Sequence, residues 1–169
     1  MDITSIAQWA SELPISQFIQ TSSWAFPTIE AIHVIAIAMV FGVIAIVDLR
    51  LLGIASGSRR ITEVARDCLH WTWIGFALAV ITGSLMFISN GTVYITNNFF
   101  LWKMGLLALA GINMVIFEMI TARTIANWDD GTASVPFAAK LAGLLSLAFW
   151  FGVIITGRWI GFTLYQIPF

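Results

Sequence analysis

The chain reads as an all-α membrane protein, an antiparallel bundle of four transmembrane helices with a short interfacial helix in front. Composition and patterning both predict it. Hydrophobic residues make up 59% of the 169 residues and charged residues only 10%, against roughly 25% charged in an ordinary soluble domain. A chain this short forms one domain, so the apolar excess has no large interior to fill and must face lipid. The apolar residues are also gathered into four long runs, each sufficient to cross a hydrocarbon layer of about 30 Å at about 1.5 Å per residue.

The first span, about 27–53, has an apolar core from Ala31 to Val47 broken only by His33. The second, 71–89, carries no charge between Trp71 and Ser89. The third, 99–123, is uncharged from Met104 to Phe117 and is broken by Asn113. The fourth, 136–165, opens on Pro136, a residue suited to a first helical position, and is free of charge from Leu141 to Gly157. The spans form one domain over 23–169, and the connections between them are short and rich in Gly, Asn, Asp and Ser, which predicts antiparallel neighbours. Several of the tryptophans, Trp24, Trp71, Trp73, Trp102 and Trp159 among them, stand at span ends as an aromatic belt does.

Basic residues set the orientation. Arg50, Arg59, Arg60 and Arg66 surround the first connection, the second has neither Lys nor Arg, and the third has Arg123 with Lys140 just beyond it. The positive-inside rule then puts the first and third connections in the cytoplasm and both termini in the periplasm of a bacterial inner membrane. Residues 1–22 place Ile3, Ile6, Trp9 and Leu13 at helical spacing until Pro14, an amphipathic segment on the outer interface, with a frayed tail as the alternative. No basic run precedes a long apolar stretch, so the segment does not resemble a removed signal peptide.

Several function classes fall away. A net charge of −1 offers no field for nucleic acid, and the single Cys68 builds neither a disulfide nor a multi-thiolate metal site. No hydrolase triad, phosphate loop, zinc helix or nucleotide fingerprint occurs, so the chain reads as non-catalytic. The expected partners are the bilayer and other membrane subunits or a second copy of the chain.

What remains is a set of ionisable residues in the spans. Such groups usually face the bundle interior or the interface. Glu30 and His33 share a helical face near the outer end of the first span, and Asp48 lies 15 residues, or about 22 Å, deeper. Lys103 and Glu118 repeat that separation on the third span, and Arg158 is outer on the fourth. The expected buried polar network is therefore Glu30, Lys103 and Arg158 outside, Asp48 and Glu118 inside, and Asn113 near mid-span, with Glu30 pairing Arg158 or Lys103. The blander reading is that long cations snorkel to headgroups and that Asn113 bonds a neighbouring helix.

His33 stands out because imidazole is an axial ligand of haem and a ligand of copper. The plain alternative is a neutral histidine hydrogen-bonded to Glu30 or to a backbone carbonyl. His70 lies at the inner start of the second span, too far from His33 to share one porphyrin, whereas Met86 returns to the level of His33. The candidates are thus haem b bound by His33 and Met86 beside Glu30, or copper bound by His33, Met86 and Met104; the ordinary role of each Met is core packing.

The runs FPTIEAIHVIAIAMVFGVIAIVDLRLLG, WTWIGFALAVITGSLMF and KLAGLLSLAFWFGVIITGRWIGF resemble an uncharacterised bacterial family of small four-span membrane proteins, from Trp24 onward. The resemblance implies the same fold and a pattern containing His33, Asp48, Arg50, Lys103, Asn113 and Arg158, without a requirement for His70. The lone His in the first span is also distantly similar to copper-resistance D membrane proteins, which are longer and richer in His and Met. The expected function is an accessory subunit of a membrane electron-transfer system that holds a cofactor such as haem b. A copper or small-solute transporter and a purely structural assembly partner are the alternatives.

Overall fold

The structure is a computed structural model that describes residues 3–55, 59–129 and 135–163. These residues are all-helical, with no strand among them. Six α-helices follow in order: α1 (Ile3–Ser11), α2 (Pro14–Thr21), α3 (Ala25–Leu51), α4 (Ile61–Thr96), α5 (Asn98–Ile116) and α6 (Phe137–Thr163). A wider π-helical turn, Phe117–Thr121, and a 3-10 turn, Ala122–Asn127, continue α5. The last residues of the expected fourth span, to Tyr165, lie outside the described residues.

Four of these helices are long and apolar enough to cross a membrane, and little of each is covered by the rest of the chain: at most 22% of the most apolar stretch, and 6% in α5. Large apolar side chains stand fully in the open on all four, Ile35 on α3, Val80 on α4, Trp102 on α5 and Phe137 on α6 among them.

What the helices do bury is a narrow seam. α3 lies along α4 and α6, and α5 lies along α6, while α4 and α5 touch little. Close approach depends on small residues: a Cβ on Gly75 would stand 2.8 Å from Met39 Cε, and one on Gly152 would stand 2.8 Å from Leu106 Cδ1. The mid-bundle core gathers Val40, Ala110, Trp150 and Val153, flanked by Phe41, Ile44 and Leu106. Contacts this close rest on van der Waals packing, which makes the small residues count.

Two elements differ from the sequence expectation. Pro14 does not end the N-terminal helical structure but opens a second helix, since a proline at the first helical position gives up no hydrogen bond. The two helices also dock on the chain itself. Ala7 is buried against Gly91, Ser16 Oγ donates to the Ile88 carbonyl at 3.1 Å, and Gln20 Nε2 donates to the Ser89 carbonyl at 2.6 Å. The apolar faces left outward carry Trp9, Ile15 and Phe18. Further on, the run 90–98, expected as a connection, stays helical to Thr96 with a kink at Asn90 (φ −138°, ψ 30°). The carbonyls that accept from Ser16 and Gln20 belong to the two residues before the kink, so α2 supports α4 where its own ladder is disturbed.

Asn97 alone separates α4 from α5. Its Oδ1 accepts from the Phe99 and Phe100 N–H groups, and its Nδ2 donates to Thr163 Oγ1 at 2.8 Å. At the other end α3 closes on Gly53, whose φ of 76° suits the residue after a helix C-cap. α4 then starts with no cap of its own, because the Arg60 side chain makes no capping bond. Asp129 from the third connection supplies it: Oδ1 accepts from Ile61 N–H, and Oδ2 accepts from Thr62 N–H at 3.1 Å and from the Thr62 hydroxyl. Trp128 is buried beside it with Leu51, Ile61 and Ala139. The first and third connections are thereby latched together.

Burial alone disfavours the Asp129 charge, but the Thr62 and Ile61 hydrogen bonds, with Arg50 nearby, outweigh it and hold the carboxyl below the usual carboxylate range. A folded chain that binds this proton less readily than the unfolded one has the full contribution at neutral pH and loses it as pH falls below the ordinary value of 3.8. Asp129→Ala should cost about 1–2 kcal/mol at about pH 7, the scale of a lost helix cap, and less at about pH 3. Thermal unfolding in detergent reads this directly, and an equal gap at both pH values would mean that the charge contributes nothing.

Candidate functional site

His33 sits in the third turn of α3 and turns its ring onto α4. A Cβ on Gly83 would stand 3.1 Å from His33 Cε1, so the imidazole packs on the α4 backbone itself. Its Nδ1 lies 2.9 Å from Thr82 Oγ1. Thr82 is buried, and its hydroxyl is 2.7 Å from the Leu78 carbonyl one turn earlier. A hydroxyl has one proton, and here it goes to Leu78, the usual back-bond of a helical threonine. The Thr82 oxygen then accepts from His33 Nδ1–H. This hydrogen-bond pattern assigns the tautomer of the neutral ring and leaves Nε2 with a bare lone pair. Nε2 is buried and has no hydrogen-bond partner.

Lys103 comes from α5. It is half-buried, its Nζ would be 3.7 Å from a Cβ on Gly157 of α6, and it acts electrostatically on His33. All four long helices therefore contribute: His33 from α3, Thr82 and Gly83 from α4, Lys103 from α5 and Gly157 from α6. One turn further along α4, Met86 is half-buried on the Thr82 face.

The other expected site residues are more dispersed. Glu30 is exposed and pairs with neither Lys103 nor Arg158; the one ion pair among the described residues joins Arg59 and Asp67 at 2.6 Å on the surface. Thr82, and not Glu30, orients the His33 ring. Arg158 is exposed, its guanidinium carbon 4.5 Å from the Phe162 ring centre, a cation–π contact. Met104 is 49% exposed. Glu118 is exposed in the π-helical turn, and His70 is exposed against Trp71. Glu30, Arg158 and Glu118 stand within two turns of a helix end, where side chains reach polar surroundings at little cost. Asn113 donates from Nδ2 to the Ala142 carbonyl at 2.9 Å and so ties α5 to α6. Asp48 is the one acid of the expected network that is deeply buried, 5% exposed, with the Ser146 hydroxyl at its carboxyl.

Among the described residues, no three of His, Cys, Asp and Glu gather as a metal-holding group. Chemically, His33 carries one buried nitrogen lone pair within the electrostatic reach of Lys103. Sequence reasoning singled out both of those residues but missed Thr82, whose only signal is a hydroxyl inside an otherwise apolar run.

The chain belongs to a family of unknown function, DUF6644, whose model matches residues 8–163. Searches of curated proteins and of solved structures find no match.

Thr82→Val keeps the volume and removes the acceptor for Nδ1–H. Long-range proton–nitrogen NMR correlations of the labelled protein should show His33 protonated on Nδ1 in the wild type and a mixture of tautomers in the variant, with a stability loss of about 1 kcal/mol. A wild-type ring protonated on Nε2 would overturn the assignment.

Proposed function

We propose that this chain is a non-catalytic, membrane-embedded subunit of a bacterial electron-transfer or membrane enzyme system, and that His33 holds a redox cofactor of the haem b type. The observation that carries this reading is the His33 ring, with Nδ1–H fixed by Thr82 and Nε2 left bare. Ligating histidines are oriented in this way by an acceptor on the far nitrogen, and a neutral imidazole nitrogen is the common axial ligand of haem. Lys103 beside the ring would meet the carboxylates that haem carries. His33 is the one ligand this reading requires.

Membrane embedding is supported by the uncovered apolar surface of α3 to α6. The order of contacts supports an antiparallel bundle: along α3 and α4, His33 meets Gly83 and Val40 meets Gly75, while along α5 and α6, Lys103 meets Gly157 and Leu106 meets Gly152. The latched first and third connections share an end with Arg50, Arg59, Arg60 and Arg66, which favours a cytoplasmic placement of that end and periplasmic termini. The exposed apolar surface suits lipid, other membrane subunits or a second copy of the chain.

The absorption spectrum of protein purified from membranes tests the cofactor. A Soret band with reducible α and β bands is expected, lost in His33→Ala and retained in His70→Ala. Bound copper without a chromophore would replace this reading by copper handling, and neither would leave a structural subunit. A reporter fused after Phe169 should appear on the periplasmic side, and a cytoplasmic signal would reverse the orientation.

A further inference from the structure

Two side-chain atoms among the described residues are buried with no hydrogen-bond partner, His33 Nε2 and Asp48 Oδ2, and both belong to α3. The second has no place in the cofactor reading. We propose that Asp48 is a proton-binding site, a carboxyl group that carries an exchangeable proton at neutral pH inside the helix bundle. The assignment is independent of what His33 holds.

The geometry around Asp48 leaves little else for it to hold. Helix α6 covers it: a Cβ on Gly143 would stand 3.2 Å from the Asp48 carbonyl oxygen, and Ser146, one turn on, brings its hydroxyl to the carboxyl group. Among the described residues, no cation answers the charge. Arg50, on the same helix, is buried but commits Nε to the Arg59 carbonyl at 2.8 Å. Lys140, three residues before Gly143, is exposed, as are Arg66 and His70 on α4 and Arg123 beyond α5; the acids Asp67 and Glu118 are exposed too. No described cation forms an ion pair with Asp48.

A bare carboxylate in such a place is far more costly than a neutral carboxylic acid, even one whose O–H finds no acceptor. A hard metal ion is a poorer occupant, because it takes about six or more oxygens and the surrounding backbone carbonyls are engaged in helices. The proton forms an O–H bond at Oδ2, the oxygen without a partner, and leaves the other oxygen to accept from Ser146. It comes from water and returns to water when the group ionises, with no other bond made or broken. Buried acids of this kind are the usual parts of proton relays in membrane proteins.

Infrared spectroscopy of the purified chain at neutral pH tests this. The carbonyl stretch of a protonated carboxyl should be present, should shift on transfer to heavy water, and should lose one carboxyl's intensity in Asp48→Asn. That variant should keep the wild-type thermal stability, because a neutral amide replaces a neutral acid. If Asp48→Asn does not fold, Ser146→Ala decides instead, since loss of its hydrogen bond should shift the same band. Absence of the band in the wild type, persistence in Asp48→Asn, no shift in Ser146→Ala, or no response to heavy water would each overturn the proposal.

Discussion

The contact between α3 and α4 is what the rest of the structure depends on. Gly75 and Gly83 have no side chain at the two points where α3 presses closest, and the approach they allow puts Thr82 within hydrogen-bonding distance of His33. A Cβ at Gly83 would press on the imidazole at 3.1 Å from Cε1. The same seam fixes the upper half of α4, to which α1 and α2 attach through Ala7, Ser16 and Gln20. Placement of the candidate site and docking of the N-terminal helices are thus consequences of one pair of facing helices.

A second constraint is the handling of polar groups where little water is expected. Most are satisfied locally: Thr82, Thr156 and Thr163 return their hydroxyl protons to carbonyls one turn back, Asn97 and Asp129 cap helix starts, and Asn113 bonds the α6 backbone. Against that background an unsatisfied atom carries information, since leaving one buried is costly. The two that occur among the described residues are on titratable groups, and both are on α3, which packs on α4 and α6.

Much of the fold was legible in the sequence because apolar run length depends on the solvent around the chain and little on packing. The four long helices lie where the four runs do. The kink at Asn90 and the continuation to Thr96 were not legible, because NGTVYITN opens and closes on turn residues, and the contacts of Ala7, Ser16 and Gln20 on this stretch of α4 come from distant sequence. Depth along a helix was legible as well, and it placed His33 near one end and Asp48 near the other. The direction of a side chain around the axis was not. Glu30 is three residues from His33 and was expected inward with it, yet it points away from the chain. Thr82 was invisible for the opposite reason, since a threonine in an apolar helix is unremarkable until the residue facing it is known.

The separation of His33 and Asp48 has a consequence for chemistry. Between them on α3 stands Val40, fully enclosed with Ala110, Trp150 and Val153 in the mid-bundle core. Those side chains carry no acid, base or hydroxyl in the contact, so nothing there relays a proton from one end of the helix to the other. His33 is on the end where Lys103 and Met86 lie. Asp48 lies on the side of the Asp129 latch and the arginine cluster, and its proton must come and go there. The bundle therefore carries two separate polar positions on one helix, His33 and Asp48, with an apolar core between them.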